Sequence, residues 1–277
     1  MKSPASPFTD PSQVRGSLYA SAGRLTRRTS ALHRARVHGR HAAEVIADLA
    51  AEATATSAPV IADIGCGRGT TACTLARRLP QARIIAIDLS AALLTAAKSR
   101  LPAAVRAGAA RADFHQLPIR DRACDLAVAA FCLYHSPSPG DVIAEIARCL
   151  EPGATAIIAV KSVDSYRELD LLMAAAGQDP GAADRPSLYE SAHSGNIEHL
   201  AAASLDALTG CFSRGACCGA LSHQALRTVT AYLPLFVEED ALRHDRVRAA
   251  LLYQRDLGHH AAPVPAKILR TSPTRKP

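Results

Sequence analysis

The sequence predicts an α/β fold in which helices cover both faces of a parallel β-sheet. From Pro59 onward, short apolar and β-branched segments alternate with segments whose apolar residues recur at helical spacing. Parallel strands need crossover connections, usually helical, and both faces of such a sheet are buried. The chain has 277 residues, of which 48% are hydrophobic and 21% charged, enough for a substantial core.

The predicted elements of this series follow the chain in a regular order. The strands are expected at 60–64, 83–90, within 110–119, 123–135 and 155–162, and the helices at 70–79, 91–101 and 139–150. An acidic or polar residue ends several of the strands, and a Pro-Gly pair follows the last helix. This order is typical of βαβ units and predicts one continuous sheet.

The regions on either side of this series are mainly helical by pattern. We divide the chain into a disordered N-terminus at 1–12, an N-terminal helical segment at 13–57 and a core at 58–277. Within the core, helices are predicted at 165–177, 195–208, 223–236 and 240–257, with a weak strand at 211–222. A final strand is predicted at about 263–272, so the helical insertion spans about 165–257.

The net charge of +7 is concentrated near the N-terminus. Seven arginines and no acidic residue lie between Asp10 and Glu44. Such a block suits nucleic acid, a phosphorylated or carboxylated ligand, or a solvated helix face. Aromatic residues make up only 4% of the chain and do not interleave with these arginines, so base stacking is not expected. Nucleic acid is therefore the disfavoured partner.

Cysteine usage and hydropathy exclude other classes of protein. The eight cysteines form no C-x-x-C pair, so we expect small buried hydrophobes rather than a metal site. No apolar run reaches the length of a membrane-spanning helix, and Pro, Ser and Asp interrupt the N-terminus where a secretory signal would be apolar. These features predict a cytoplasmic protein with no membrane partner.

A glycine-rich loop, "VIADIGCGRGTT" at 60–71, is the strongest motif. It lacks the Lys-Ser/Thr pair of a Walker A loop. Its G-x-G-x-G spacing also differs from the G-x-G-x-x-G of dinucleotide-binding loops. Asp63 precedes the first glycine by two residues and would repel a pyrophosphate, but it suits an ammonium group. The loop therefore predicts a ligand made of a nucleoside that carries an amino acid.

Four motifs in order resemble those of class I S-adenosylmethionine-dependent methyltransferases, in the small-molecule branch called type 11 or UbiE-like. "DIGCGRG" resembles the first motif, and "IAID", which ends at Asp88, resembles the acid that binds the ribose hydroxyls. "ADFHQLPI" resembles the segment that binds adenine, and "FCLYHSP" the one that lines the methyl-transfer site. The resemblance covers Pro59 to Ser162; Ala154 departs from the usual glycine, and the segment 211–229 matches poorly.

The resemblance implies S-adenosylmethionine as the cofactor and a set of residues that bind it. These are Asp63, Gly65, Cys66, Gly67, Gly69, Asp88, Leu89, Asp113, Phe114 and Phe131. It also implies a Rossmann-like, seven-stranded, mostly parallel sheet with an antiparallel final strand, an N-terminal helical lid and a C-terminal helical insertion. A ligand would bind at the carboxyl ends of the strands.

His135 is the candidate catalytic base, because it lies just beyond the fourth strand. Methyl transfer needs an aligned nucleophile and, for an O–H or ammonium group, removal of a proton. The alternative is that His135 only closes the pocket. Tyr19, Arg28, Tyr134 and Tyr232 are candidates for substrate contact. Tyr19, Arg24 and Arg28 lie about one or two helical turns apart, a spacing that is consistent with one face that contacts a ligand and also with a solvated basic face. For Tyr134 and Tyr232 the alternative is a role in packing.

The predicted function is methyl transfer to an O, N or C nucleophile of a small molecule. The Ala- and Arg-rich composition is typical of a high-GC genome, in which such enzymes often modify secondary metabolites. A role in secondary metabolism is predicted from this association. The alternatives are an RNA or protein methyltransferase that uses the basic N-terminal helices, and a cofactor-binding protein without productive catalysis. A nicotinamide-dependent oxidoreductase is disfavoured by Asp63. The sequence leaves open the acceptor atom, the substrate and the oligomeric state.

Overall fold

A computed structural model describes most of the predicted core. The described residues are 8–10, 13–14, 18–23, 25–26, 29–30, 40–102, 106–213 and 266–273. The predicted helices at 223–236 and 240–257 and the candidates Arg24, Arg28 and Tyr232 lie outside these residues.

Five parallel strands form the centre of the fold. They are β1 (Val60–Ile64), β2 (Arg83–Asp88), β3 (Arg106–Arg111), β4 (Cys124–Ala130) and β5 (Leu150–Val160). Their order is β3-β2-β1-β4-β5, and each neighbouring pair is parallel. The helices before and between them are α1 (Ala42–Ala53), α2 (Thr70–Arg78), α3 (Ala91–Arg100) and α4 (Pro139–Cys149). The prediction of an α/β fold with a parallel sheet is confirmed.

Two further strands follow the parallel series. After the helices α5 (Arg167–Ala175) and α6 (Ile197–Ala202) come β6 (Leu205–Ser213) and β7 (Ala266–Pro273). β7 pairs antiparallel with both β5 and β6. The predicted helix at 195–208 is therefore too long, because its last residues belong to β6. Pairing with a strand distant in sequence supplies backbone hydrogen bonds that local helix propensity does not reveal.

The sheet is buried on both faces, as its apolar strands predict. One group of apolar side chains, including Ile64 and Ile158, packs on one face, and another, including Ile61 and Ile157, packs on the other. The strand order reverses between β1 and β4, so the carboxyl ends of these strands border a crevice. In open α/β sheets this is the position at which ligands bind.

Strands β3 and β4 end several residues before their predicted ends, whereas β2 and β5 each end two residues early. β3 ends at Arg111, so most of the segment 110–119 is a loop. β4 ends at Ala130, and Phe131 has a left-handed backbone with φ of 57°. This conformation turns the chain away from the sheet, and a short 3₁₀ helix, Leu133–His135, follows. Apolar residues here continue the strand pattern although the backbone has left the sheet.

Phe8, which lies in the segment 1–12 that we predict to be disordered, is buried. This side chain is only 3% exposed. Its ring centroid lies 5.6 Å from that of Tyr134 and 5.9 Å from that of Tyr189. A single aromatic side chain buries enough apolar surface to anchor a segment that is otherwise rich in Pro and Ser.

Five described cysteines behave as small apolar residues. Cys66, Cys73, Cys124, Cys132 and Cys149 are free thiols and are buried. Burial raises the pKa of the Cys149 thiol to about 11, so it stays protonated and uncharged at neutral pH. Among the described residues, no helix is both long and apolar enough to cross a membrane.

Candidate functional site

The glycine loop between β1 and α2 lies close to the ends of β2 and β4. The N–H of Cys66 donates a 2.9 Å hydrogen bond to the carbonyl of Ile87. Gly65 has a φ of 62°, and a Cβ there would lie 2.5 Å from the Cβ of Cys132. Gly67 also has a positive φ, but its nearest neighbour, a side-chain carbon of Leu25, would be 3.5 Å from a Cβ. A Cβ at Gly67 would thus meet an ordinary van der Waals contact, whereas one at Gly65 would collide with Cys132.

Gly69 serves the packing of two helices. It is the residue before α2, and a Cβ there would lie 2.9 Å from the Cβ of Ala97 in α3. The structure therefore gives this glycine a close helix contact, while the predicted cofactor contact of Gly69 remains a prediction.

Asp63 is a buried carboxylate with an unused oxygen. Its side chain lies at the end of β1 and is only 1% exposed. One hydrogen bond comes from the backbone N–H of Ala72. Oδ2 has no hydrogen-bond partner among the described residues. Burial raises the pKa of Asp63 to about 7, and the nearby charge of Asp88 adds to this rise. An ammonium group beside Oδ2 would satisfy it, so the site fits the amino-acid part of S-adenosylmethionine.

Asp88 ends β2 and faces the same loop. Its Oδ2 accepts a hydrogen bond from the N–H of Gly67 and its Oδ1 one from Ser90, both at 2.8 Å. Burial raises the pKa of Asp88, while the backbone N–H groups of Ser90, Gly67 and Leu89 oppose that rise. A carboxylate has about four acceptor positions, so Asp88 retains capacity for a ribose hydroxyl. Leu89 follows directly along the chain.

Asp113 belongs to a hydrogen-bonded chain that reaches the segment after β4. Asp113 Oδ1 accepts from the backbone N–H of His115 at 3.0 Å and lies 2.7 Å from His115 Nδ1. His115 Nε2 lies 2.8 Å from the hydroxyl of Ser136. The ring of Phe114 meets that of His115 edge-on at 4.8 Å. Sequence reasoning missed His115 and Ser136, although both lie within the quoted motifs.

His135 contacts two residues from the N-terminal part of the chain. Its Nδ1 is 2.9 Å from the carbonyl oxygen of Phe8, and its Nε2 is 2.8 Å from the hydroxyl of Tyr19. A carbonyl only accepts hydrogen bonds, so we assign the proton of the neutral ring to Nδ1. Nε2 then accepts from Tyr19. The structure thus brings together two of the predicted site residues.

The N-terminal segment also contacts the glycine loop. Arg68 donates 3.0 Å hydrogen bonds to the hydroxyls of Thr26 and Thr29. The hydroxyl of Ser90 donates to the carbonyl of Tyr19 at 2.9 Å. Described residues between 18 and 30 therefore lie against the glycine loop and the start of α3, close to the end of β2. Sequence reasoning missed Arg68 and Ser90, because nothing local identifies their partners.

An aromatic cluster extends from His135 to the start of α5. We define it as the rings of Phe8, Tyr134, Tyr166 and Tyr189. Tyr134, a predicted substrate contact, is only 3% exposed, and its ring lies 4.8 Å from that of Tyr189. Tyr189 in turn lies 6.0 Å from Tyr166. Three of these rings line one wall of a cavity of about 410 Å³. Sequence reasoning missed Phe8, Tyr166 and Tyr189.

Comparison with known proteins agrees with this geometry. Residues 62–158 match the family described as a methyltransferase domain, type 11. The chain is 32% identical over 112 residues to a malonyl-acyl-carrier-protein O-methyltransferase of Marinomonas sp., covering 40% of this chain and 42% of that protein. It is 34% identical over 147 residues to a trans-aconitate 2-methyltransferase of Methylobacterium radiotolerans, covering 52% of each. The chain thus spans about half the length or less of these relatives.

Solved structures show the same fold at low sequence identity. A Haemonchus contortus phosphoethanolamine N-methyltransferase 2 superposes with a TM-score of 0.61 at 14% identity, covering 97% of this chain and 60% of that one. The 4+2 cyclase SpnF superposes with a TM-score of 0.55 at 22% identity, covering 94% and 95%. Fold, motif order and family match agree. Residues 62–158 of this chain belong to the class I S-adenosylmethionine-dependent methyltransferases of type 11, whose cofactor is S-adenosylmethionine.

Proposed function

We propose that the chain transfers a methyl group from S-adenosylmethionine to an O, N or C nucleophile of a small molecule. The observation that carries this proposal is Oδ2 of Asp63, a buried oxygen with no hydrogen-bond partner among the described residues. Its position beside the glycine loop suits the ammonium group of that cofactor. The named relatives, which act on malonyl-acyl-carrier protein and trans-aconitate, support a small acceptor group.

Each group of predicted cofactor residues binds a different part of S-adenosylmethionine. Asp63 binds its ammonium group, and the backbone at Gly65, Cys66 and Gly67 approaches its amino-acid chain. Asp88 and Leu89 hold the ribose, since a carboxylate accepts hydrogen bonds from hydroxyls well. Asp113 accepts from the adenine amino group, and Phe114 packs on the ring. Phe131 lies at the methyl-transfer position. When bound, the cofactor supplies an activated methyl group.

His135 acts as the base through the hydroxyl of Tyr19. The hydrogen bond to the Phe8 carbonyl keeps the proton on Nδ1, so Nε2 is available to accept. A proton lost by the acceptor passes to Tyr19 and from there to His135 Nε2. The hydrogen bonds orient both groups before the substrate arrives. Tyr134, a member of the aromatic cluster, packs against the His135 ring of this pair.

The N-terminal segment forms the lid of this site, and the full fold is the predicted seven-stranded sheet with a C-terminal helical insertion. The contacts of Arg68 with Thr26 and Thr29, and of His135 with Phe8 and Tyr19, support the lid. The antiparallel pairing of β7 with β5 supports the seventh strand. Arg28 and Tyr232 remain sequence-based candidates for substrate contact.

Calorimetric titration tests the cofactor. S-Adenosylmethionine and S-adenosylhomocysteine are expected to bind the wild type, with NAD as comparator. Asp88→Ala removes an acceptor for a ribose hydroxyl and should weaken both sulfur ligands by roughly a hundredfold. Asp141→Ala, an exposed acid on α4, is the matched control and should bind normally. If NAD binds and neither sulfur ligand does, the assignment of the glycine loop is wrong.

A screen with methyl-labelled cofactor tests the transfer itself. Small acids such as trans-aconitate are the first acceptors to try, because a relative is named for that activity. His135→Gln should lower the rate on any accepted substrate about 10²- to 10⁴-fold, the usual contribution of a general base. Cofactor binding without transfer to small molecules, RNA or protein would favour a cofactor-binding protein instead.

A further inference from the structure

Lys161 lies at the edge of the sheet where the site is proposed, and none of the sequence motifs assigns it a role. It directly follows β5, at the same edge of the sheet as Asp63 and Phe131. Its Nζ lies 4.6 Å from the ring centroid of Tyr166, 5.5 Å from that of Phe131 and 5.9 Å from that of Tyr189. Nζ also donates a 2.7 Å hydrogen bond to the hydroxyl of Tyr166. The ammonium group is thus held among three aromatic faces.

The charge of Lys161 has no counterion in the described part of the chain. No described carboxylate lies within 4.0 Å of Nζ, and one phenol is its only described hydrogen-bond acceptor. Asp170 and Asp179, which line the same cavity as Tyr166 and Tyr189, pair with Arg185. An ammonium has three donors, so two remain for another group. A half-buried cation without a counterion favours an anion that arrives from solution.

The backbone around Lys161 is strained in a way that holds the aromatic rings in place. Tyr166 and Phe131 are two of only three non-glycine residues with positive φ in the described chain, at 71° and 57°. Such strain persists where the surrounding structure requires it, and it concentrates at binding sites. Both strained residues place their rings against the Lys161 ammonium.

Lys161 and His135 both contact the aromatic cluster. The Lys161 ammonium lies 5.9 Å from the ring centroid of Tyr189, and Tyr189 contacts Tyr134 and Phe8. The ring centroids of Tyr134 and Phe8 lie 4.6 Å and 5.0 Å from that of His135. A continuous series of ring contacts therefore connects the ammonium to the proposed base.

We propose that Lys161 binds an anionic oxygen group, a carboxylate or a phosphate, of the methyl acceptor, and that the substrates are therefore small anions. The inference rests on the proposed function, since it concerns the acceptor of that same site. It identifies Lys161 as a specificity-determining residue. The aromatic rings keep its ammonium partly out of water, which strengthens its attraction to an anion.

The test uses the full-length protein saturated with S-adenosylhomocysteine and matched pairs of probes. One pair is trans-aconitate and its trimethyl ester; the other is O-phosphoethanolamine and ethanolamine, which separates phosphate from carboxylate. Titration calorimetry should show at least one acid binding about tenfold or more tightly than the paired probe that lacks the anionic group. Lys161→Met should lose that preference, and Lys161→Arg, which keeps the charge, should retain most of it. Lys98→Met, an exposed lysine on α3, is the control and should match the wild type.

Each result decides between the two proposals. S-Adenosylhomocysteine should bind all four proteins equally, which also shows that the variants are folded. If it binds and Lys161→Met keeps the anion preference, or if neither acid binds the wild type, the role of Lys161 is wrong and the methyltransferase proposal stands. If S-adenosylhomocysteine fails to bind the wild type, the proposed function fails first. Binding of O-phosphoethanolamine but not trans-aconitate would identify the anion as a phosphate.

Discussion

Asp63 and Asp88, at the ends of neighbouring strands, differ in the hydrogen bonds that they already accept. Asp88 receives hydrogen bonds from Gly67 and Ser90, which stabilise its charge. Asp63 has one oxygen that no described residue hydrogen-bonds, and burial raises its pKa to about 7. A cation beside Asp63 would lower that pKa again. The ammonium of the cofactor therefore binds best when Asp63 has lost its proton.

We expect cofactor affinity to depend on pH through Asp63. Below about pH 7 the free protein holds the proton, and the Kd for S-adenosylmethionine should rise about tenfold for each unit of pH lost. Above pH 7 the Kd should level off, until the α-ammonium group of the cofactor loses its own proton at about pH 8. Asp63→Asn should remove this dependence and weaken binding at pH 8 by roughly 10- to 100-fold. Titration calorimetry from pH 5.5 to 8.5, in two buffers of different ionisation enthalpy, would measure both the Kd and the proton released.

The stability of the cofactor-free protein provides the control for this assignment. The pKa of Asp63 is raised in the fold above its ordinary value of 3.8. Between about pH 4 and 7 the unfolded chain has lost this proton and the folded chain has kept it, so stability falls as pH rises. Asp63→Asn should lack that fall, and Asp141→Asn should keep it. A pH-independent Kd in the wild type would contradict the role of Asp63.

Contacts between elements determine the shape of the cofactor loop. The loop after β1 packs directly on Cys132, which follows β4 and whose Sγ donates to the carbonyl of Ile64. A side chain at Gly65 would collide with Cys132, and its φ of 62° is also strained for other residues. Gly153, in β5, has a φ of 84° but no heavy atom within 4 Å of a Cβ. Substitution of Gly153 by another residue therefore introduces backbone strain alone, whereas substitution of Gly65 introduces strain and a collision with Cys132.

Gly65→Ala is expected to destabilise the protein more than Gly153→Ala. Backbone strain alone should cost Gly153→Ala about 1–2 kcal/mol. Collision with Cys132 should add roughly 1–3 kcal/mol for Gly65→Ala. Urea denaturation of both variants and the wild type measures the difference in the free energy of unfolding. Equal losses would mean that the loop shifts freely away from Cys132. Gly65→Ala should also weaken binding of S-adenosylhomocysteine, whereas Gly153→Ala should leave it unchanged.

Residues far apart in sequence close the site in the whole molecule. Tyr19 reaches His135 across 116 positions, and Arg68 reaches Thr26 and Thr29 across 42 and 39. Arg68 follows Gly67, so the loop that we propose to bind the cofactor also contacts the N-terminal segment. Cofactor binding and ordering of that segment are therefore coupled in our proposal.

Arg68→Met should loosen the N-terminal segment. It removes two hydrogen bonds to Thr26 and Thr29 while keeping an apolar stem of similar length. Hydrogen exchange measured by mass spectrometry should become faster in peptides that cover 18–30, and S-adenosylhomocysteine should slow it less than in the wild type. Arg77→Met, on the exposed side of α2, is the matched control. Unchanged exchange in Arg68→Met would show that other contacts hold the segment.

The local patterns of the chain were enough to establish the α/β class, the glycine loop and the acids at its edge. Strand and helix periods depend on neighbouring residues, and the positions of Asp63 and Asp88 follow from where β1 and β2 end. Element ends were less predictable. The apolar run through Phe131 continues a strand pattern, although the backbone turns there.

The folded arrangement alone revealed the partners within the site. No local pattern indicates that Phe8 packs on Tyr134, that Tyr19 bonds to His135, or that the Lys161 ammonium lies among aromatic rings. These contacts exist because the order β3-β2-β1-β4-β5 brings the ends of distant strands to one edge. Spacing along a chain encodes which side of an element a residue faces, whereas the identity of its distant neighbours depends on how the elements pack.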